Sequence, residues 1–168
     1  MKPISKSGVP AALSKAELYR YLNEAEEAES ICRDVLAADP GNQLARRLLG
    51  LAITDQFKGI AGDRYAEAEK IFESLADGYE RNYYTGILHE RRAKAQLKAG
   101  YPPGMVVAMF EQAMQSFAAA QKQKPAGNDD SILRWNRCAR ILKGMPKVEE
   151  REEEHGFDAG EEIGRAHV

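Results

Sequence analysis

The stretch Asn23–Ile53, NEAEEAESICRDVLAADPGNQLARRLLGLAI, reads as one helix, a proline turn and the opening of a second helix. Ala28, Ile31, Cys32, Val35 and Leu36 recur at helical spacing, while Glu26, Glu27, Glu29 and Asp34 fall on the opposite side. Asp39-Pro40-Gly41-Asn42 then stops the helix. Proline cannot continue it, glycine permits positive φ, and Asn42 can cap the next helix. Beyond the turn, Leu49, Gly50 and Ile53 form a facing apolar stripe. The result is a helical hairpin, in which small residues such as Ala28 let neighbouring helices approach closely.

Working outward, the same grammar returns. Upstream, Leu13, Ala16 and Tyr19 fall in a helix that ends at Asn23, a residue type that tolerates the left-handed conformation of a tight turn. Downstream, the glycine-punctuated loop KGIAGDR leads into RYAEAEKIFESLADGYE, whose stripe is Tyr65, Ala68, Phe72 and Leu75, with Asp77-Gly78 expected to end the helix. A third first helix, NYYTGILHERRAKAQLKAG, carries Leu88, Ala93 and Leu97 on one side and a basic surface elsewhere. After the turn Gly100–Gly104, Ala113, Phe117, Ala120 and Pro125 repeat the offsets of four, three and five found in Ala28, Cys32, Val35 and Pro40. A last amphipathic helix, about 129–143, has Asn128 or Asp129 as its cap and Ile132, Trp135, Cys138 and Leu142 as its stripe. On this reading Trp135 is buried, and truncating it to alanine costs about 3 to 5 kcal/mol.

The chain resembles the tetratricopeptide repeat (TPR) family, a helix-turn-helix repeat with small residues where helices cross and a proline after the second helix. The resemblance implies an all-α fold: helical hairpins in a short right-handed superhelix closed by a capping helix. It implies an N-terminal extension over 1–9 and a repeat domain over 10–143, with repeats at about 10–42, 43–80 and 82–125 and the capping helix at 129–143. It also implies a protein-interaction scaffold, adaptor or co-chaperone-like module, whose first helices line a concave groove. The groove residues it assigns are Arg20, Tyr21, Arg47, Leu51, Arg91, Lys94, Lys98, Asn136 and Arg140, with Leu13, Glu17, Leu44, Leu48, Asp55, Ile87, Glu90 and Ile132 on the same helix faces. Six of these are cations, which suits a partner protein or peptide with an acidic segment. The clamp by which some family members grip a terminal carboxylate does not carry over: its matching positions here are Leu13, Glu17 and Leu48, and only Arg91 agrees.

Composition fits this class. Of 168 residues, 43% are hydrophobic and 30% charged, and no apolar run approaches the length of a membrane span. The opening MKPISKSGVPAAL is too polar for a secretory signal, so the expected location is the cytoplasm, with no membrane partner. Cys32 and Cys138 each lie on an apolar stripe, away from other cysteines and histidines, and read as small buried hydrophobes. Residues 147–168 contain eight acidic and three basic side chains, a net of −5 against −2 overall, which leaves +3 on the body. The expected behaviour of 144–168 is that of a flexible acidic tail, solubilising or lying over the basic groove.

Catalytic signatures are missing from the sequence. Gly59–Gly62 lacks the lysine and spacing of a phosphate loop, His89, His155 and His167 are widely separated, and no nucleophile motif stands in a suitable context. The reading is a non-enzyme that needs no cofactor or metal. The competing readings are a nucleic-acid-associated protein, prompted by basic residues 91–98 near Tyr83, Tyr84 and Tyr101, and a self-assembling structural protein or homodimer.

Overall fold

Local signals set most helix boundaries. In the computed structural model, which describes residues 1–59 and 62–146, a 3-10 turn at Lys6–Gly8 is closed by the Ser5 hydroxyl accepting from the Gly8 amide. Helix α1 (Val9–Tyr21) follows with Pro10 in its first turn, where no amide donor is needed. It ends where Asn23 takes φ 61° and the Glu24 amide reaches back to the Tyr19 carbonyl. Helix α2 (Ala25–Ala38) stops before Pro40, and the Asn42 side chain accepts from the Ala45 amide at 2.9 Å to start α3 (Gln43–Asp55). Helix α4 (Gly62–Glu73) comes after the loop.

Asp77 and Gly78 do not end that helix. Asp77 accepts from the Glu80 amide at 2.8 Å, and Gly78 opens α5 (Gly78–Lys98), the longest helix among the described residues. The local reading fails here because an aspartate before a glycine serves an N-cap as readily as a stop. Gly100, at φ 83°, terminates α5, and Pro103 begins α6 (Pro103–Gln121). The Asn128 side chain accepts from the Asp130 amide ahead of α7 (Asp130–Gly144).

The described residues therefore form seven α-helices and no strand. Each helix packs on the next in sequence, and α1 also meets α3, as α3 meets α5. The helices expected to be first in each hairpin thus adjoin one another. The acidic run Glu149–Glu154 and the rest of the expected tail from 147 onward lie outside the described residues, as do positions 60 and 61.

Packing turns on two joints between a glycine and an aromatic ring. A Cβ added at Gly50 would lie under 3.0 Å from three ring atoms of Phe72, and one at Gly86 would meet Phe117 in the same way. Both rings are fully buried. Tyr84 stacks on Phe72 with centroids 5.5 Å apart, and Tyr83 tilts against Phe117 at 5.8 Å. Around Phe72 lies a core that includes Leu13, Cys32, Val35, Leu49 and Ile53; around Phe117 lies a second with Val106, Phe110 and Cys138. Leu51 and Tyr84 touch both.

Several expected core positions change. On α5 the small residue is Gly86 and the buried face includes Ile87, Leu88, Ala93 and Gln96, while Leu97 is exposed. On α7 the buried residues are Ser131 and Cys138, and Trp135 is 38% exposed. Among the described residues no helix follows α7, and it buries a narrower stripe than its periodicity suggests. Cys32 and Cys138 are free and buried, and burial pushes their thiols up to about 12 and about 11. They are packing groups at neutral pH.

Gly50→Ala and Gly86→Ala should each lower stability by about 1 to 3 kcal/mol, because overpacking against a ring outweighs alanine's better helix propensity. Urea unfolding of the two variants checks this, and unchanged midpoints would contradict it. Trp135→Ala, at an exposed position, should cost under about 1 kcal/mol, short of the cost for a buried ring.

Candidate partner-binding face

The side chains expected to line a groove fall on a belt of ion pairs running across α1, α3, α5 and α7. Arg20 of α1 donates from Nε to Asp55 Oδ2 at 2.7 Å. Arg91 of α5 reaches the other oxygen of the same carboxylate at 2.6 Å. Arg91 Nη1 also donates to the Leu51 carbonyl at 3.0 Å and to Thr54 Oγ1 at 2.6 Å, so it caps the last turn of α3, where a cation is favoured. Burial pushes the Arg91 guanidinium below its usual range and Asp55 pulls it back, so it stays a cation. Arg47 pairs with Glu80, and Lys94 pairs with Glu90. Glu90 is fully buried and is met from α7 by Arg134 at 3.3 Å.

This belt alters the electrostatics read from sequence. Four of the six expected groove cations, Arg20, Arg47, Arg91 and Lys94, face acids of the chain itself. Lys98 and Arg140 have no ion-pair partner among the described residues. Losing one member of a partly buried pair leaves the other's charge uncompensated.

The predicted residues are gathered in part. Arg91, Lys94 and Lys98 line one shallow depression with Thr54, Asp55 and Phe57. Arg20 lines a second with Asn23, Ala25 and Asp55. Asn136 and Arg140 share a third, on α7, with Ala139 and Lys143. Tyr21 projects outside all three at 84% exposed, and Leu51 is half-buried between the two cores. Leu13, Leu48 and Ile87, also expected to face the groove, are buried in the core. The first helices are packed on both sides there, which leaves their central apolar positions no solvent face.

Sequence reasoning undervalued Asp55 and missed the role of Glu80. The available signal was an acid at a helix end beside arginines on the flanking helices, but only the packing decides which charges meet. On α2, Glu29 is no ordinary solvated residue. Arg33 and Arg64 each bridge Glu29 and Glu67 at 2.5 to 2.9 Å, joining α2 to α4, and Gln56 donates to Glu29 at 2.7 Å. Burial pushes the Glu29 carboxyl up, but the hydrogen bonds from Arg64, Arg33 and Gln56 outweigh it and hold it at about 2, against an ordinary 4.5.

Asp55→Asn should leave two guanidinium groups facing each other without their shared carboxylate and cost about 1 to 3 kcal/mol. Added salt should return part of the loss by screening that repulsion, a dependence read from urea midpoints at low and high ionic strength. For Glu29 the folded value lies below the unfolded one, so its contribution is complete above about pH 4.5 and is lost as pH falls toward 2. Glu29→Gln should therefore flatten the acid limb of the stability profile over that window. An unchanged limb in thermal melts would contradict the assignment. No family model matches this chain, and no curated protein or solved structure shows significant similarity to it.

Proposed function

We propose that this chain is a TPR-type repeat scaffold that binds a segment of a partner protein on the face built by α1, α3, α5 and α7. The observation that carries the reading is the adjacency of α1 with α3 and of α3 with α5, beyond the sequential contacts of every hairpin. Adjacent alternate helices create a continuous surface of side chains, the kind by which repeat arrays hold extended partners. Two further features support it. The glycine–aromatic joints recur in successive hairpins, at Gly50 with Phe72 and Gly86 with Phe117. The face retains exposed groups that the belt does not use: Tyr21, Lys98 and Arg140.

The module acts by binding and not by catalysis. Lys98 and Arg140, outside the belt, supply the attraction for acidic groups of the partner. Among the described residues no helix is long and apolar enough to cross a membrane. We place the protein's work in the cytoplasm as part of the same proposal.

The test uses residues outside the ion pairs. Reversing Arg47, Arg91 or Lys94 would set a new acid against Glu80, Asp55 or Glu90 and unfold the face being tested. The double variant Lys98→Glu with Arg140→Glu avoids this and should keep the parent's melting temperature within about 2 °C. Affinity capture with parent and variant, read by mass spectrometry, should show partners held by the parent and lost by the variant. Identical sets would reject the face.

A further inference from the structure

Asp55 borders three depressions along one edge of the array, two of them described above and a third that reaches the start of α2, and opposite charges line its two sides. Toward the α1–α2 turn, Glu24, Glu26 and Glu27 line the depression that Asp55 borders, with Lys58 on its rim. None of the three glutamates has an ion-pair partner among the described residues. Toward α5, Asp55 borders the depression lined by Arg91, Lys94 and Lys98, with Phe57 and Ala95 supplying apolar surface. Between them lies the depression of Arg20, Asn23 and Ala25. The strip follows the C-terminal ends of α1 and α3 and the last turns of α5, at the edge of the array and not along its middle, where Leu13, Leu48 and Ile87 are buried.

We propose that this strip is the docking surface and that it selects a bipolar segment: a basic half over Glu24, Glu26 and Glu27, and an acidic half over Lys98 and the Arg91 side of the belt. The inference rests on the partner-binding reading above and narrows its chemistry from an acidic segment to a segment of both signs. Charge complementarity carries it. A uniformly acidic segment would meet three unpaired glutamates at one end, and a uniformly basic one would meet the unpaired Lys98, beside the paired Arg91 and Lys94, at the other. Like charges set against each other across an interface penalise the wrong partner more than matched ones reward the right one. Asp55, held by two arginines, lies between the two fields.

The experiment titrates the full-length chain with three fluorescein-labelled peptides of equal length, followed by anisotropy at low salt. One has a glutamate-rich half and a lysine-rich half, one is glutamate-rich throughout and one is lysine-rich throughout. The bipolar peptide should bind about 5- to 10-fold tighter than either uniform one, a difference that salt erodes. Glu26→Lys with Glu27→Lys should reverse the order in favour of the glutamate-rich peptide, while Lys98→Glu should favour the lysine-rich one. Both variants alter exposed side chains, and circular dichroism confirms their folding. Equal or tighter binding of a uniform peptide to the parent, absence of binding by all three, or an order unmoved by the charge reversals would overturn the inference. Loss of cellular partners from the Lys98→Glu, Arg140→Glu double variant without a bipolar preference would leave the binding reading standing and remove only this refinement.

Discussion

The close approach of a phenylalanine ring to a glycine backbone is the constraint on which the architecture depends. Phe72 sits where any side chain at Gly50 would stand, and Phe117 does the same at Gly86. Each contact fixes the distance between the two helices of a hairpin, and interiors this dense tolerate little change in it. With those distances set, Tyr83 and Tyr84 fall against both rings, and Tyr84 and Leu51 bridge the two cores. The position of α5 against α3, on which the candidate face depends, follows from that bridge.

The ion-pair belt is the polar counterpart of these joints. It does not cover a surface evenly: Asp55 gathers α1 and α5 onto the end of α3, and the buried Glu90 gathers Lys94 and, from α7, Arg134. A carboxylate shared by two cations holds both at fixed positions, so the belt aligns the helices and sets the charge pattern of this surface. The cost is that most of its arginines are already engaged. The exposed charges outside the belt include Lys98 and Arg140 on one side and Glu24, Glu26 and Glu27 on the other. The network of Glu29, Arg33, Arg64 and Glu67 links α2 to α4 in the same manner.

Features determined within one turn of chain were legible in the sequence. Asn23 adopts the left-handed conformation, Asn42 caps α3, and Ala28, Cys32 and Val35 are buried, because residue type and periodicity decide each of them locally. The features left open depend on tertiary partners. Asp77-Gly78 has equal local licence to stop a helix or to start one. The glycine at 86 was hidden by a helix longer than its repeat, whose apolar residues fit more than one stripe. Trp135 has the periodicity of a core residue, but among the described residues no helix follows α7 to cover it. The basic character of the face was legible as composition and incompletely so as electrostatics, since no local pattern pairs Arg20 and Arg91 with Asp55.

Site-specific photo-crosslinking in cells tests the central claim most directly, because it captures a partner of any identity where it binds. A photoreactive phenylalanine analogue would be placed in turn at Tyr21 and Lys98, on the candidate face, and at Lys70 and Glu111, exposed positions on α4 and α6. The account predicts covalent adducts of defined mass from Tyr21 and Lys98, with none of the same mass from Lys70 and Glu111. Adducts confined to Lys70 and Glu111 would contradict it and assign the interaction to the opposite helices.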